Sequence, residues 1–428
     1  MSNFEELGVR ARTSQILERQ KITEPQPVQR DAIPKLIDHK DVVIQAPTGS
    51  GKTLAYVLPM VEKLAGPNGG LRALVLTPTR ELATQIATVI NTVDPALRVV
   101  IVVGGVGYGR QISGIRGRAD VVVGCPGRVL DLCEQNILRL NTISYLVLDE
   151  ADEMLDQGFA RDVERIITQC PTAQSPAKRQ TVLASATMPD WVRRLIEQHT
   201  HEPVYVRITE ESVPSIEHGI LPIGGEKIDT LTTLLTQQRA NANSQTIVFH
   251  RTKHGARKLA KVLNGRGHSS VELQGNLSQN ARDRAIKDFK AGRADVMVAT
   301  NVAARGIDVV NVGLVINYEL PDTPQWLTHR IGRTARNGNA GRAITFIGEG
   351  DKQQWRKLRK QGAPNLPHID QQLLVDGTWS LSAAREDLSN QGDNRPAPRG
   401  PQYGNRSFAR RDGRRSPAPR GRFSRAGR

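Results

Sequence analysis

Cysteine is scarce: Cys125, Cys133 and Cys170 are the only three in 428 residues, and no pair has CxxC spacing. Neither a disulfide framework nor a zinc site is indicated, and the thiols read as ordinary buried or half-buried groups of a reducing compartment. The nine histidines show no ligand spacing; His199 and His201 fall at a helix end and are expected to be solvated. Aromatic residues make up only 4% of the chain. No run approaches the roughly 18 apolar residues that a membrane-crossing helix needs. The first residues carry Glu5 and Glu6 and lack an apolar h-region, so no signal peptide is expected. These absences point to a soluble, intracellular protein with no membrane partner.

What the chain does have is length, aliphatic residues and a positive charge that is unevenly placed. A length of 428 residues predicts two or three domains of about 150 residues each. Plentiful Leu, Ile, Val and Ala with few aromatics suits α/β domains whose Val/Ile-rich parallel strands are buried on both faces. The formal net charge is +16, and residues 391–428 hold 11 Arg against 2 Asp, a net of +9, which leaves +7 for the first 390 residues. Charge concentrated in this way calls for a phosphate polymer as partner. A membrane surface would attract it too, but no amphipathic helix accompanies it.

Short Val/Ile/Leu runs alternate with stretches of helical period twice along the chain. In the first half they are Asp41–Gln45, Arg72–Thr77, Arg98–Val103, Asp120–Val123, Ser144–Leu148 and Thr181–Ala184. In the second they are Thr246–Phe249, Ser270–Leu273, Asp295–Ala299, Leu314–Asn317 and Arg342–Ile347. This is the pattern of βαβ units and a parallel sheet in each half. The polar run Thr209–Glu217, with Pro214 inside it, reads as a linker. The expected layout is a first domain over 1–208, a linker over 209–218, a second domain over 219–370 and a transition segment over 371–390. The remaining Gly/Pro/Arg/Ser-rich residues 391–428, with PAPRG occurring twice, cannot bury enough apolar surface to order themselves and read as a disordered basic tail.

The strand Asp41–Gln45 runs into Ala46, Pro47, Thr48, Gly49, Ser50, Gly51, Lys52 and Thr53, with a helical stretch following. A Gly-rich loop between strand and helix points successive backbone N–H groups at a phosphate, beside the positive end of the helix. Lys52 would reach the β- and γ-phosphates of ATP, and the Thr53 hydroxyl would ligate Mg²⁺. Ala46 stands where the general pattern has its first Gly. A chance Gly-Lys-Thr turn is the competing explanation, and the flanking strand and helix weigh against it. A second apolar strand ends in Asp149-Glu150-Ala151-Asp152. In ATPases of this kind one strand-end carboxylate holds Mg²⁺ and a neighbour orients the attacking water, which gives Asp149 the first role and Glu150 the second. An acidic quartet alone is more often a solvated helix start; its place in the same sheet as Lys52 favours the catalytic reading.

The quartet Asp149–Asp152 and the motifs around it resemble the DEAD-box RNA helicases. Pro25–Gln29 resembles the family's adenine-reading segment, with Gln29 on the adenine edge and Phe4 as a supporting aromatic upstream. Pro78-Thr-Arg-Glu-Leu82, Gly104-Gly105, Pro126-Gly-Arg128 and Ser185-Ala-Thr187 follow in order. The second half supplies Gln274-Gly275, Ala303–Asp308 and His329–Arg336. The resemblance covers about residues 1–350 and implies two RecA-like parallel-sheet domains in tandem. It also implies that Arg333 and Arg336 reach across the cleft to the γ-phosphate, a contribution of about 10³–10⁵ in rate. Asp308 would bond the ribose. Asp152, Ser185, Thr187 and His329 would couple the ATP cleft to the RNA face. RNA contacts would come from Arg80, Gly105, Gly127 and Arg128 in the first domain and Thr252, Gly275, Arg282 and Thr300 in the second. Contacts of these kinds position a strand without reading its sequence.

The sequence departs from the family pattern at Lys21-Ile22 (usually Gly-aromatic), Cys125 (usually Thr), Asn301 (usually Asp) and Leu327 (usually Tyr). None of these is a catalytic carboxylate, the phosphate-binding Lys or a finger Arg, so activity with altered affinities is expected. The resemblance implies ATP-driven local unwinding or remodelling of RNA and ribosomal or messenger ribonucleoprotein. The rival is an annealing chaperone or clamp whose ATPase only times release. A compact core of this kind resembles bacterial members, hence a cytoplasmic location.

Overall fold

The structure, a computed structural model, describes residues 4–47, 49–66, 70–172, 179–208, 216–240, 245–301, 312–334 and 341–369. The transition segment 371–390 and the basic tail 391–428 lie outside the described residues, as do Thr48, Asp308 and Arg336.

Two parallel sheets form, one from each half. The first has seven strands: β1 (Val42–Gln45), β2 (Ala73–Leu76), β3 (Val99–Val102), β4 (Val121–Gly124), β5 (Tyr145–Asp149), β6 (Gln180–Ser185) and β7 (Val204–Arg207), in the order β3-β4-β2-β5-β6-β1-β7. The second has six: β8 (Ile216–Pro222), β9 (Gln245–Phe249), β10 (Ser270–Leu273), β11 (Val296–Ala299), β12 (Val312–Asn317) and β13 (Gly341–Ile347), in the order β10-β11-β9-β12-β13-β8.

Each sheet is covered on both faces because its central strands are mostly apolar and buried. Successive residues of a strand point to opposite sides, so Val42 and Ile44 join one buried cluster while Val43 joins the other. The second sheet divides likewise, with Val248 and Val298 on one side and Ile247, Phe249 and Met297 on the other. Helices connect the parallel strands, as a crossover requires.

Two strands were not foreseen from sequence. β7 pairs with β1 at the edge of the first sheet; its Val-Tyr-Val-Arg leaves Tyr205 about half exposed (49%) and carries little apolar signal. β8 corrects the linker, whose expected end at residue 218 cuts into the strand: Ile216–Pro222 pairs with β13 from Ile216 onward. Its start, Ile216-Glu217-His218, continues the polar run and hides the strand; Thr345 lies 2.8 Å from one ring nitrogen of His218. His199 is also a correction. It is half-buried rather than solvated, and burial with the nearby Arg179 charge lowers its pKa. His201 is exposed as expected, and the three cysteines are buried and free. Burial pushes Cys125 and Cys170 up to about 12 and Cys133 to about 11, which makes them poor nucleophiles.

Candidate active site and nucleic-acid interface

In an open parallel sheet, ligands gather outside the carboxyl ends of the strands, and six motifs of the first half fall there, while Pro25–Gln29 lies at the start of the helix Pro27–Ile37. β1 opens into Ala46–Lys52, β5 ends on Asp149 and β6 on Ser185; these three strands are neighbours. β2 leads to Pro78–Arg80, β3 to Gly104-Gly105 and β4 to Cys125–Arg128; these form the other three-strand group. One sheet edge therefore presents two adjoining surfaces, a phosphate loop with carboxylates and a loop cluster with arginines.

The phosphate loop is shaped by backbone that only glycine adopts easily. Gly49 and Gly51 have φ of 87° and 91°, in the left-handed region. A Cβ on Gly51 would lie 2.5 Å from Gln29 Nε2. The Gln29 amide is pinned: Oε1 accepts from the Gln26 backbone N–H at 2.9 Å and Nε2 donates to the Gly51 carbonyl at 3.1 Å. The segment read as adenine-binding is thus tied directly to the loop. Phe4 is 1% exposed and packs inside the first core cluster, so it supports this region from beneath. Lys52 Nζ donates to the carbonyls of Ala46 and Pro47 at 2.6 and 2.9 Å.

The carboxylates at the end of β5 differ sharply from one another. Asp149 Oδ2 accepts from the Tyr56 hydroxyl at 2.7 Å and Oδ1 from the Glu150 N–H at 2.9 Å. Burial raises its pKa, with Lys52 and the Tyr56 bond opposing. Glu150 caps the next helix in left-handed backbone (φ 51°, ψ 53°), and its Oε2 is buried without a partner. Burial raises it from 4.5 to about 7, against the pull of Arg333 and with Asp149 and Glu153 pushing the same way as burial. Strained backbone, an unpartnered carboxylate oxygen and a pKa near neutrality coincide on one residue. Arg333, 6% exposed, belongs to the second sheet's half; its charge acting on Glu150 shows the two halves meeting at this point.

Among the described residues no group of three or more His, Cys, Asp or Glu could cage a metal ion. Mg²⁺ takes one or two carboxylates and completes its shell from phosphates and water. Asp149 retains free lone pairs after its two hydrogen bonds, and Thr53 lies beside Tyr56, so the residues present fit such an ion.

Behind the carboxylates, Asp152 Oδ2 accepts from both the backbone N–H and the hydroxyl of Thr187, at 2.8 and 2.7 Å, while Ser185 Oγ accepts from the Asp152 N–H at 3.3 Å. Three of the four expected coupling residues are thus knit together. His329 instead lies against Glu153, the residue after the quartet. Nothing in the motif pattern marked Glu153 or Tyr56 beforehand, and Glu81 stood inside the Pro78–Leu82 motif without an assigned role.

The arginine surface lines a cavity of about 690 Å³ bordered by Arg80, Gly127, Arg128, Gly275, Gln279 and Arg282, among others. It joins both halves: Arg80 Nη1 donates to Gln279 Oε1 at 3.2 Å, and Arg282 pairs with Glu81 at 2.6 Å. Gly105 (φ 72°) lets Arg80 pass, since a Cβ there would overlap the guanidinium. Arg128 lies 4.0 Å over the Tyr108 ring. Thr252, Gly275 and Thr300 follow the ends of β9, β10 and β11, three neighbouring strands. Of the departures from pattern, Cys125 caps the helix Pro126–Glu134, Leu327 is wholly buried and Asn301 accepts from Arg330.

A model of the DEAD/DEAH box helicases matches residues 26–195, and one of the helicase conserved C-terminal domain matches residues 226–338. The chain is 42% identical over 352 residues to the DEAD-box ATP-dependent RNA helicase CshA of Geobacillus kaustophilus, covering 81% of this chain and 74% of that one. With the protein of the same name in Bacillus subtilis it shares 38% over 396 residues, 90% of this chain and 78% of the relative. Its fold is similar to that of S. cerevisiae Dbp5 bound to RNA and ADP BeF3, at TM-score 0.78 and 30% identity over 91% of this chain and all (100%) of that one. A DEAD box protein from Methanococcus jannaschii is similar at TM-score 0.54 and 34% identity, covering 86% and 99% of the two chains. No helix among the described residues is long and apolar enough to cross a membrane. The chain belongs to the DEAD-box family and is an ATP-hydrolysing RNA helicase.

Proposed function

We infer that ATP hydrolysed between the two sheets drives local melting of RNA duplexes and remodelling of ribonucleoprotein, ribosomal or messenger, in a cytoplasm. The observation that carries this is Glu150: an unpartnered, buried carboxylate oxygen faced by Arg333 from the other half. In this reading Lys52 and the loop's N–H groups hold the phosphates, and Gln29 holds the adenine. Asp149 and Thr53 hold Mg²⁺, which would neutralise phosphate charge. Glu150, with a pKa near 7, takes a proton from the attacking water. Arg333, joined by Arg336 and with Asp308 on the ribose, stabilises the charge that develops at the transferring phosphoryl group.

Asp152, Ser185, Thr187 and His329 relay closure to the RNA surface, where Arg80, Gly105, Gly127, Arg128, Thr252, Gly275, Arg282 and Thr300 grip one strand by its backbone. The first domain comprises residues 1–208; the second runs from the start of β8 to about residue 370. Glu150→Gln should bind ATP normally yet turn over at least about a hundredfold more slowly, while Lys52→Ala should weaken ATP binding itself. Strand displacement with and without ATP completes the test. Annealing that ignores ATP would favour a chaperone, and near-normal hydrolysis by Glu150→Gln would remove the base from Glu150.

A further inference from the structure

The helix Pro324–Ile331 carries His329 toward the cleft and leads into Arg333, yet its Arg330 turns the other way and is 1% exposed. Arg330 Nε donates to Asn301 Oδ1 at 2.7 Å, and Nη1 donates to Asn317 Oδ1 at 3.1 Å and to the Glu319 carbonyl at 2.6 Å. The guanidinium carbon sits 5.0 Å over the Phe249 ring, and Nη2 is buried without a partner. All three acceptors are neutral. A fully buried cation held by amides and a carbonyl is an expensive arrangement for a sheet that apolar residues could fill.

A guanidinium can only donate, so Arg330 sets which way the Asn317 amide is turned. Asn317 must turn Oδ1 toward Arg330, which aims Nδ2 at Thr345 Oγ1, 3.0 Å away. Asn317 and Thr345 face each other in the β12–β13 register, and both are wholly buried. His218 Nε2 on β8 lies within hydrogen-bond distance, 2.8 Å, of the same Thr345 hydroxyl. Burial lowers the His218 pKa to about 4, which keeps the ring neutral near pH 7. A file of hydrogen bonds therefore crosses three adjacent strands, from the edge strand β8 to the helix of the cleft. The Arg330 carbonyl in turn accepts the Arg333 backbone N–H at 3.1 Å.

We propose that Arg330, Asn317, Thr345 and His218 are positioning residues: their file fixes the rotation of the helix Pro324–Ile331 and so aims Arg333 at Glu150. An apolar filling would pack this sheet equally well but would leave the helix free to settle at other angles. The proposal rests on the reading of Arg333 as the group that acts across the cleft.

The test compares Thr345→Val, which keeps the shape and removes the hydroxyl, with Thr345→Ser, which keeps the hydroxyl, and runs Arg333→Ala beside them. In RNA-stimulated hydrolysis, Thr345→Val should lower kcat about tenfold with KM for ATP within about twofold, the signature of an interaction used in the transition state. Thr345→Ser should restore kcat to within about twofold of wild type. Unchanged kcat in Thr345→Val, whatever its melting temperature, would overturn the proposal and leave the file a purely structural one. Should Thr345→Val not fold, His218→Leu on the edge strand carries the same test, with a fall in kcat of about threefold expected and no fall overturning it. If Arg333→Ala itself kept full turnover, the finger reading would fall first, and the two failures are told apart by that control.

Discussion

At the scale of single residues the site depends on how differently neighbouring groups of one type are housed. Asp149 is buried but hydrogen-bonded on both oxygens, whereas Glu150 leaves Oε2 without a partner and sits in left-handed backbone. The motif itself identified both residues, because carboxylates at a strand end beside a phosphate loop have few other uses. The asymmetry between them was not legible, since it arises from Tyr56 and from backbone angles that no spacing encodes. It has a stability consequence. Glu150 rises from 4.5 to about 7 on folding, so the folded chain binds that proton more tightly than the unfolded one. Its favourable contribution is complete below pH 4.5 and is lost as pH rises through about 7. Glu150→Gln stays neutral and should melt above wild type at pH 8 by about 3–6 °C, in the absence of nucleotide, with the gap closing near pH 5. Calorimetric melts at the two pH values check this; a gap of equal size at both would mean that Glu150 is not strained by its charge.

Among elements, the strands were readable because buried parallel strands are continuous Val/Ile/Leu runs, and the observed ends differ from expectation by only a residue or two. Of the four edge strands, β3 and β10 were readable and β7 and β8 were not. β7 is four residues long with exposed positions, and β8 begins beside a polar run and carries His218. Both depend on a neighbour already in place, which is tertiary information. The loops after the strands separate the two surfaces, with the phosphate loop and carboxylates after β1, β5 and β6 and the arginine cavity after β2, β3 and β4. Gly105→Ala should therefore act on one surface alone. Its Cβ would drive the Arg80 guanidinium aside at a φ of 72°, weakening RNA binding about tenfold, roughly one charge-assisted contact, with nucleotide affinity unchanged. Titrations of labelled RNA and labelled nucleotide distinguish the outcomes; an equal loss in both would mean that the two surfaces are not separate.

For the whole molecule, the two sheets are joined by pairs that cross between the halves: Glu81 with Arg282, Arg80 with Gln279, Glu153 with His329. Their pairing could not be read from sequence because each couples positions about 180–200 apart, and only folding of both halves brings them together. The net +9 of residues 391–428 predicts a further electrostatic contact with RNA. If about six phosphates are neutralised by residues 391–428, their removal should flatten the slope of log K against log[salt] by roughly 4, at about 0.7 per charge on single strands. Turnover at saturating RNA should stay near wild type. An unchanged slope would show that the tail does not tether RNA. The central claim is that ATP chemistry is assembled from both halves. It is tested most directly by the single-turnover hydrolysis rate of Arg333→Ala at saturating RNA and ATP, with ATP affinity measured alongside. The account predicts a rate lower by about 10³ or more with affinity nearly preserved; a rate equal to wild type would contradict it.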